Sequence, residues 1–143
     1  MSTITGNRRV CLTRQYRFSA AHRLYSPFLS DAENEALYGK CGRSAGHGHN
    51  YTLRITLAGP VHPGTGLLCN VADLDEIVNR FVIEPFDHRD LNVEVEGLAV
   101  VSSETLAREI WDRLALHIKI KGVELRGVAL EETRKNSVAY CHG

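Results

Sequence analysis

His47-Gly48-His49-Asn50-Tyr51-Thr52-Leu53-Arg54-Ile55-Thr56-Leu57 is the stretch that decides how this chain folds. Tyr51, Leu53, Ile55 and Leu57 alternate with Thr52, Arg54 and Thr56, the period-two pattern of a half-buried β-strand. The strand is read over Asn50 to Leu57. In its extended lead-in, His47 and His49 stand at i and i+2 and point to the same side. Gly48 between them adds no side chain to crowd whatever they hold. Taken alone, the tripeptide reads as two exposed turn histidines in a Gly/Ser-rich loop. Its neighbours change that reading. The preceding apolar run, Phe18-Ser19-Ala20-Ala21-His22, ends in a third histidine. If the run Val10 to Ala20 pairs antiparallel with the second strand, all three imidazoles can converge. Three neutral imidazoles with an open fourth position describe a catalytic zinc site rather than a structural one.

At 143 residues the chain is expected to be one domain over 1–143, with a flexible N-terminus over about 1–9. Lys plus Arg and Asp plus Glu both number 17. With no net charge and no dense basic cluster, nucleic acid is not an expected partner. An anionic substrate must then be held by a few local cations. No apolar stretch approaches the roughly 18 residues needed to span a bilayer, so no membrane partner is expected. The first residues lack the apolar core of a secretory signal. Cys11, Cys41, Cys69 and Cys141 are scattered without C-x-x-C spacing. Reduced thiols in the cytoplasm follow.

Between the first two strands lies a long polar connection, Tyr25 to Gly48, that holds Cys41; connections of that length are usually functional. A helix is read from Asp73 to Pro85, with Asp73 as N-cap, Glu76 completing a capping pair and Pro85 as its stop. Leu74, Ile77, Val78, Phe81 and Val82 form its apolar stripe. A second helix runs from about Ser103 to Ile118. Val123 to Glu131 and Ser137 to His142 are the last strands. Strands and helices so segregated predict an α+β domain: a four-stranded antiparallel sheet with both helices on one face. Such a sheet has two unpaired edges, and closing them by oligomerisation is the physical remedy.

Cys41 lies in Gly39-Lys40-Cys41-Gly42-Arg43, where nearby cations lower a thiol pKa. Six residues from a candidate metal ligand, it is a candidate base or nucleophile. Cys11, Cys69 and Cys141 are read as small core residues. Asp87-His88 could pair a carboxylate with an imidazole, although adjacent residues rarely hydrogen-bond each other directly. By themselves Glu104 and Glu132 read as cap and surface charges, and His62, His117 and His142 have no spacing logic.

In order along the chain, Phe18-Ser19-Ala20-Ala21-His22-Arg23-Leu24, Leu37-Tyr38-Gly39-Lys40-Cys41 and Gly46-His47-Gly48-His49-Asn50-Tyr51 resemble the 6-pyruvoyl tetrahydropterin synthase family. So do Asn70-Val71-Ala72-Asp73-Leu74, Asp87-His88-Arg89-Asp90-Leu91, Ser103-Glu104-Thr105-Leu106-Ala107 and Glu131-Glu132-Thr133. The resemblance implies a T-fold (tunnelling fold) whose sheets join into a barrel by trimerisation, two trimers stacking into a homohexamer. It implies one zinc per subunit on His22, His47 and His49, and Cys41 as the proton-abstracting base. It implies an Asp87-His88 pair approaching from a neighbouring subunit. Glu132 would anchor the guanidine-like edge of a pterin, with Glu104 and Thr105 in the same pocket.

The implied reaction is that of a lyase. It converts 7,8-dihydroneopterin triphosphate to 6-pyruvoyltetrahydropterin plus triphosphate, with Mg2+ a further expected companion of the substrate triphosphate. Relatives that make 6-carboxytetrahydropterin typically place three residues between the cysteine and His-x-His. Here five intervene, Gly42 to Gly46, which favours the biopterin-type product. Arg134-Lys135 after Glu132 departs from the family pattern. The 6-carboxytetrahydropterin synthase of deazapurine biosynthesis is the alternative, and a pterin- or metal-binding module without turnover the non-enzyme alternative. For the phosphates, Arg8, Arg9, Arg14, Arg17 and Arg23 are candidates only as cations near the first strand.

Overall fold

The alternating run is the middle of the sheet. In the computed structural model, which describes residues 8–141, β1 (Arg9–His22) pairs antiparallel with β2 (His47–Pro60) from Arg9↔Pro60 to His22↔His47. On the other side of β2 lies β4 (Glu124–Thr133), followed by β5 (Asn136–Cys141). The 1–9 segment expected to be flexible falls mostly outside the described residues, as does His142; Arg9 already opens β1. Both first strands are longer than the apolar alternation suggested. Cross-strand hydrogen bonds carry the ladder through His22 and His47, where side-chain polarity hides it.

Leu53, Ile55 and Leu57 on β2 and Val128 and Leu130 on β4 are fully buried under the helices. Each such side chain contributes about 1.5–3 kcal/mol of hydrophobic stabilisation. Against them pack α2 (Val71–Val78), through Leu74 and Val78, and α4 (Ser103–His117), through Leu106, Ile110 and Leu114. Both helices lie on one face of the sheet, as the segregated element order predicts. Arg14 grips Asp75 of α2 through Nε and Nη2 at 2.6 and 2.8 Å, and Tyr16 Oη donates to the same carboxylate at 2.7 Å. These bonds hold the Asp75 carboxyl below its ordinary range, the Arg14 contact first.

Four local expectations are corrected or refined. The N-cap of α2 is Asn70, whose side chain accepts from the Ala72 N–H; Asp73 sits in the first turn. Pro85 lies inside a last turn, Glu84–Phe86, that follows a widened π-type stretch, Asn79–Ile83, and the helical run ends one residue after it. A proline is tolerated there because its missing N–H has no intrahelical partner to lose. The polar connection contains α1 (Asp31–Tyr38), capped by a reciprocal Ser30/Glu33 box, so its order comes from end-capping and not from an apolar stripe. A fifth, two-residue strand, β3 (Arg89–Asp90), joins β1 in parallel before the short α3 (Leu91–Glu94), giving the order β3-β1-β2-β4-β5.

The cysteines are corrected too. Cys11 and Cys141 are exposed and Cys69 only partly buried. Strand alternation sends Cys11 and Cys141 to the face away from the helices, where this chain offers them no core. Cys41 is exposed, as its loop context suggested.

Candidate metal centre and active site

Cross-strand register brings the three histidines together. His22 is directly opposite His47, and His49 is opposite Ala20, whose methyl leaves room for an imidazole. The ring centroids of His22, His47 and His49 lie 4.6, 4.7 and 5.2 Å apart. The site therefore sits at one end of the sheet on its helix-covered face, where the same alternation that buries Tyr51 and Leu53 points His47 and His49. Gly48 is not what makes the space. A Cβ there would meet only Ala20 O, at 3.8 Å, and by alternation would stand on the opposite face. The glycine the site needs is Gly46, at φ +74°, whose added Cβ would come within 3.2 Å of His22 O. Gly46→Ala should cost about 1–2 kcal/mol, from a residue forced into left-handed geometry. A thermal melt lowered by several degrees checks this.

Glu132 completes the group. Strand β4 bulges between Glu131 and Thr133, and Glu132 follows Val128 and Leu130 on the inward face. Its Oε1 lies 2.7 Å from His49 Nε2 and 3.4 Å from His22 Nε2. Ligand atoms of His22, His47, His49 and Glu132 all lie within 4.8 Å of one another. This set could hold a metal ion.

The polar bookkeeping of the site points the same way. His22 Nδ1 stands 2.7 Å from Val101 O. With a proton there donating to the carbonyl, the other nitrogen, Nε2, is left a lone pair aimed into the cluster. His22 Nε2 and His49 Nε2 are nonetheless buried without a hydrogen-bond partner, and the short approach to Glu132 is not aligned as one. An orphaned buried polar atom costs about 1–3 kcal/mol. A cation at the centre would satisfy both nitrogens and the carboxylate at once. Burial first, then the neighbouring imidazoles, pushes the His47 pKa down. Burial also lowers that of His49, against the opposing pull of Glu132. Both shifts favour the neutral imidazole that a metal requires. The Tyr51 hydroxyl is a further buried orphan, and burial raises its pKa. Its ring centroid is 5.6 Å from that of His49.

Sequence reasoning missed this placement of Glu132, and Ser103, whose Oγ donates to Glu132 Oε2 at 2.5 Å. The available signal was period two along β4, which puts residue 132 in phase with Leu130. Glu104 shares with Glu132 and Ser103 a cleft of about 320 Å³ that Lys135 also lines. Thr105 does not line it: its hydroxyl closes the cap of α4, donating to Val100 O at 2.7 Å.

Cys41 sits in a single 3-10 turn, Gly39–Gly42, that follows α1. The Leu24 N–H donates to Cys41 O at 2.7 Å, tying this turn to the end of β1 two residues beyond His22. Asp87 and His88 do bond directly: His88 Nδ1 lies 3.0 Å from Asp87 Oδ2, with His88 at φ 60°. The contact thus forms between adjacent residues at a position with left-handed backbone. The Ser19 N–H, donating to Asp87 Oδ1 at 2.9 Å, is the first cause holding the Asp87 pKa down. The His88 side chain is 82% exposed. Among the described residues no hydrogen bond or ion pair joins the pair to Cys41 or to the histidines' ring nitrogens. Two of the arginine candidates are spoken for, Arg9 by Glu124 at 2.7 Å and Arg14 by Asp75.

Comparison with known proteins agrees with this arrangement. The family model described as 6-pyruvoyl tetrahydropterin synthase matches residues 11–142. The chain is 43% identical over 144 residues to the 6-pyruvoyl tetrahydrobiopterin synthase of Homo sapiens, with 98% of each covered. It is 45% identical over 131 residues to that of Drosophila melanogaster, covering 90% of this chain and 77% of the relative. The solved structure of Caenorhabditis elegans 6-pyruvoyl tetrahydropterin synthase superposes with a TM-score of 0.88 at 38% identity, covering 95% of this chain and 97% of the other. No helix among the described residues is long and apolar enough to cross a membrane. By sequence and by fold, the chain belongs to the 6-pyruvoyl tetrahydropterin synthase family.

Proposed function

We propose that this chain is a zinc-dependent lyase, one cytoplasmic domain over 1–143, that converts 7,8-dihydroneopterin triphosphate to 6-pyruvoyltetrahydropterin and triphosphate. The observation that carries the reading is the convergence of His22, His47, His49 and Glu132 at the sheet end, in a chain of this family. The three imidazoles would hold the zinc. When bound, zinc supplies Lewis acidity that makes the protons of the substrate side chain easier to remove.

Cys41, as thiolate, takes a proton from a side-chain carbon and returns it to the pterin ring; a positioned base of this kind contributes about 10²–10⁴-fold. The elimination follows. A proton leaves the carbon next to the phosphate ester carbon, its electron pair forms the new double bond, and triphosphate departs with the C–O pair. No water is consumed, so the reaction is a lyase's and not a hydrolase's. The Asp87-His88 pair steadies the Cys41 charge from a neighbouring subunit. Its exposure and the absence, among the described residues, of any hydrogen bond or ion pair to Cys41 support that arrangement, as do the free edge of β5 and the part of β1 that β3 leaves unpaired. A homohexamer of two trimers closes those edges.

Glu104 and Glu132 take the guanidine-like edge of the pterin. Glu132 is turned toward the histidines and Ser103, which leaves Glu104 as the carboxylate free in the cleft. Mg2+ accompanies the triphosphate.

Mass spectrometry of the products from 7,8-dihydroneopterin triphosphate tests the reading. The expected products are triphosphate and a pterin with its three-carbon side chain intact. Acetaldehyde with a 6-carboxy pterin as main product overturns it, and so does the absence of any turnover.

A further inference from the structure

The substrate's triphosphate needs cations, and the chain's zero net charge offers no general field to supply them. The placement of the site residues gives a path for that tail, across the strands and then past the end of β1. Glu132 is on β4, His47 and His49 on β2, and His22 on β1. The Cys41 turn is fastened beyond the end of β1 through Leu24. A pterin held at the Glu104 and Glu132 end, with its side chain across the histidines, presents its ester tail on the Cys41 side. There a cleft of about 590 Å³ lies between that turn and α1. It falls within the roughly 300–1,000 Å³ typical of small-molecule clefts.

Three cations line it: Arg23, Lys40 and Arg43. Lys40 and Arg43 bracket Cys41, and among the described residues neither side chain has an ion-pair partner. Arg23 has no carboxylate either. Its Nε and Nη2 donate to Gly42 O at 3.2 and 2.8 Å, and its guanidinium lies 4.6 Å from the Tyr25 ring centroid. Pinned in this way, Arg23 braces the turn that presents the other two. Of the two carboxylates in the cleft, Asp31 accepts from Tyr25 Oη at 2.7 Å. Among the described residues Glu35 has no ion-pair partner.

We infer that this cleft is the polyphosphate subsite: Lys40 and Arg43, with Arg23 behind them, hold the triphosphate of the substrate and of the departing product. The assignment rests on the lyase reading above. It makes Lys40 and Arg43 binding residues that act through the tail, and it gives Glu35 the opposite sign, a charge that weakens the anion's hold. Phosphate contacts from cations are charge-assisted and screened by salt.

The test titrates inorganic tripolyphosphate into the intact, zinc-loaded protein by calorimetry and pairs this with steady-state kinetics. Lys40→Ala and Arg43→Ala should each weaken tripolyphosphate binding by about tenfold or more. Both should raise KM for the triphosphate substrate, with kcat changed far less. Glu35→Gln should tighten binding severalfold, and Arg108→Ala, an exposed cation on α4, should leave it unchanged. Rising salt should weaken the wild type more than the double variant. An active wild type whose tripolyphosphate affinity is untouched by Lys40→Ala, Arg43→Ala and their combination overturns the assignment alone. A wild type that makes no product overturns the lyase reading and, with it, the identity of the ligand.

Discussion

Cys41→Ala is expected to lose turnover by about 10²–10⁴-fold, the range for removing a positioned acid-base group, while zinc content and melting temperature stay at wild-type values. The thiol is exposed, so its removal opens no cavity. It stands outside the four-residue group whose ligand atoms converge. Loss of zinc in this variant would make Cys41 a ligand and the centre structural. Full activity would place the base elsewhere. The same variant reports on assembly. Because no hydrogen bond or ion pair joins His88 to Cys41 among the described residues, mixing Cys41→Ala with His88→Ala subunits should restore activity once subunits exchange. Failure to complement after verified exchange would put both residues in one chain and remove the shared site.

His22→Ala is the second large effect: it should abolish stoichiometric zinc and activity together. His22 contributes a buried Nε2 with no hydrogen-bond partner, and its tautomer is set by Val101 O at 2.7 Å. Two imidazoles and a carboxylate already bonded to Ser103 do not replace it. Metal analysis after dialysis against a weak chelator reads the outcome directly. Unchanged zinc in His22→Ala would overturn the proposed ligand set. Ser103→Ala is the milder companion. It frees Glu132 Oε2 and should cost metal affinity about 10–100-fold, as outer-shell losses do.

Much of this was legible in residue order. Period two from Tyr51 to Leu57 fixed a strand and its buried face, and the grouping of strands and helices fixed an α+β layer pair. Pairing Phe18–His22 with the His-x-His segment was enough to bring three imidazoles together, because antiparallel register and alternation leave only one face for them. Polar elements were harder to read. α1 is held by its Ser30/Glu33 box and by Asn34, which donates to three backbone carbonyls near its start. No apolar period announces such a helix.

The three-dimensional packing alone decided the rest. That the Glu132 carboxylate is held beside the histidines depends on a hydroxyl from the start of α4, 29 residues away in sequence. The pairing of Asp87 with His88 occurs at a left-handed backbone position that no local pattern announced. Which cations were free depended on which others had already found carboxylates: Arg14 on Asp75, 61 positions distant, and Arg9 on Glu124, 115 distant. Local order carries periodicity, and periodicity determines faces. Contacts between distant segments carry the pairing of charges and hydrogen bonds, and only the folded chain brings those segments within the few ångströms over which such pairing acts.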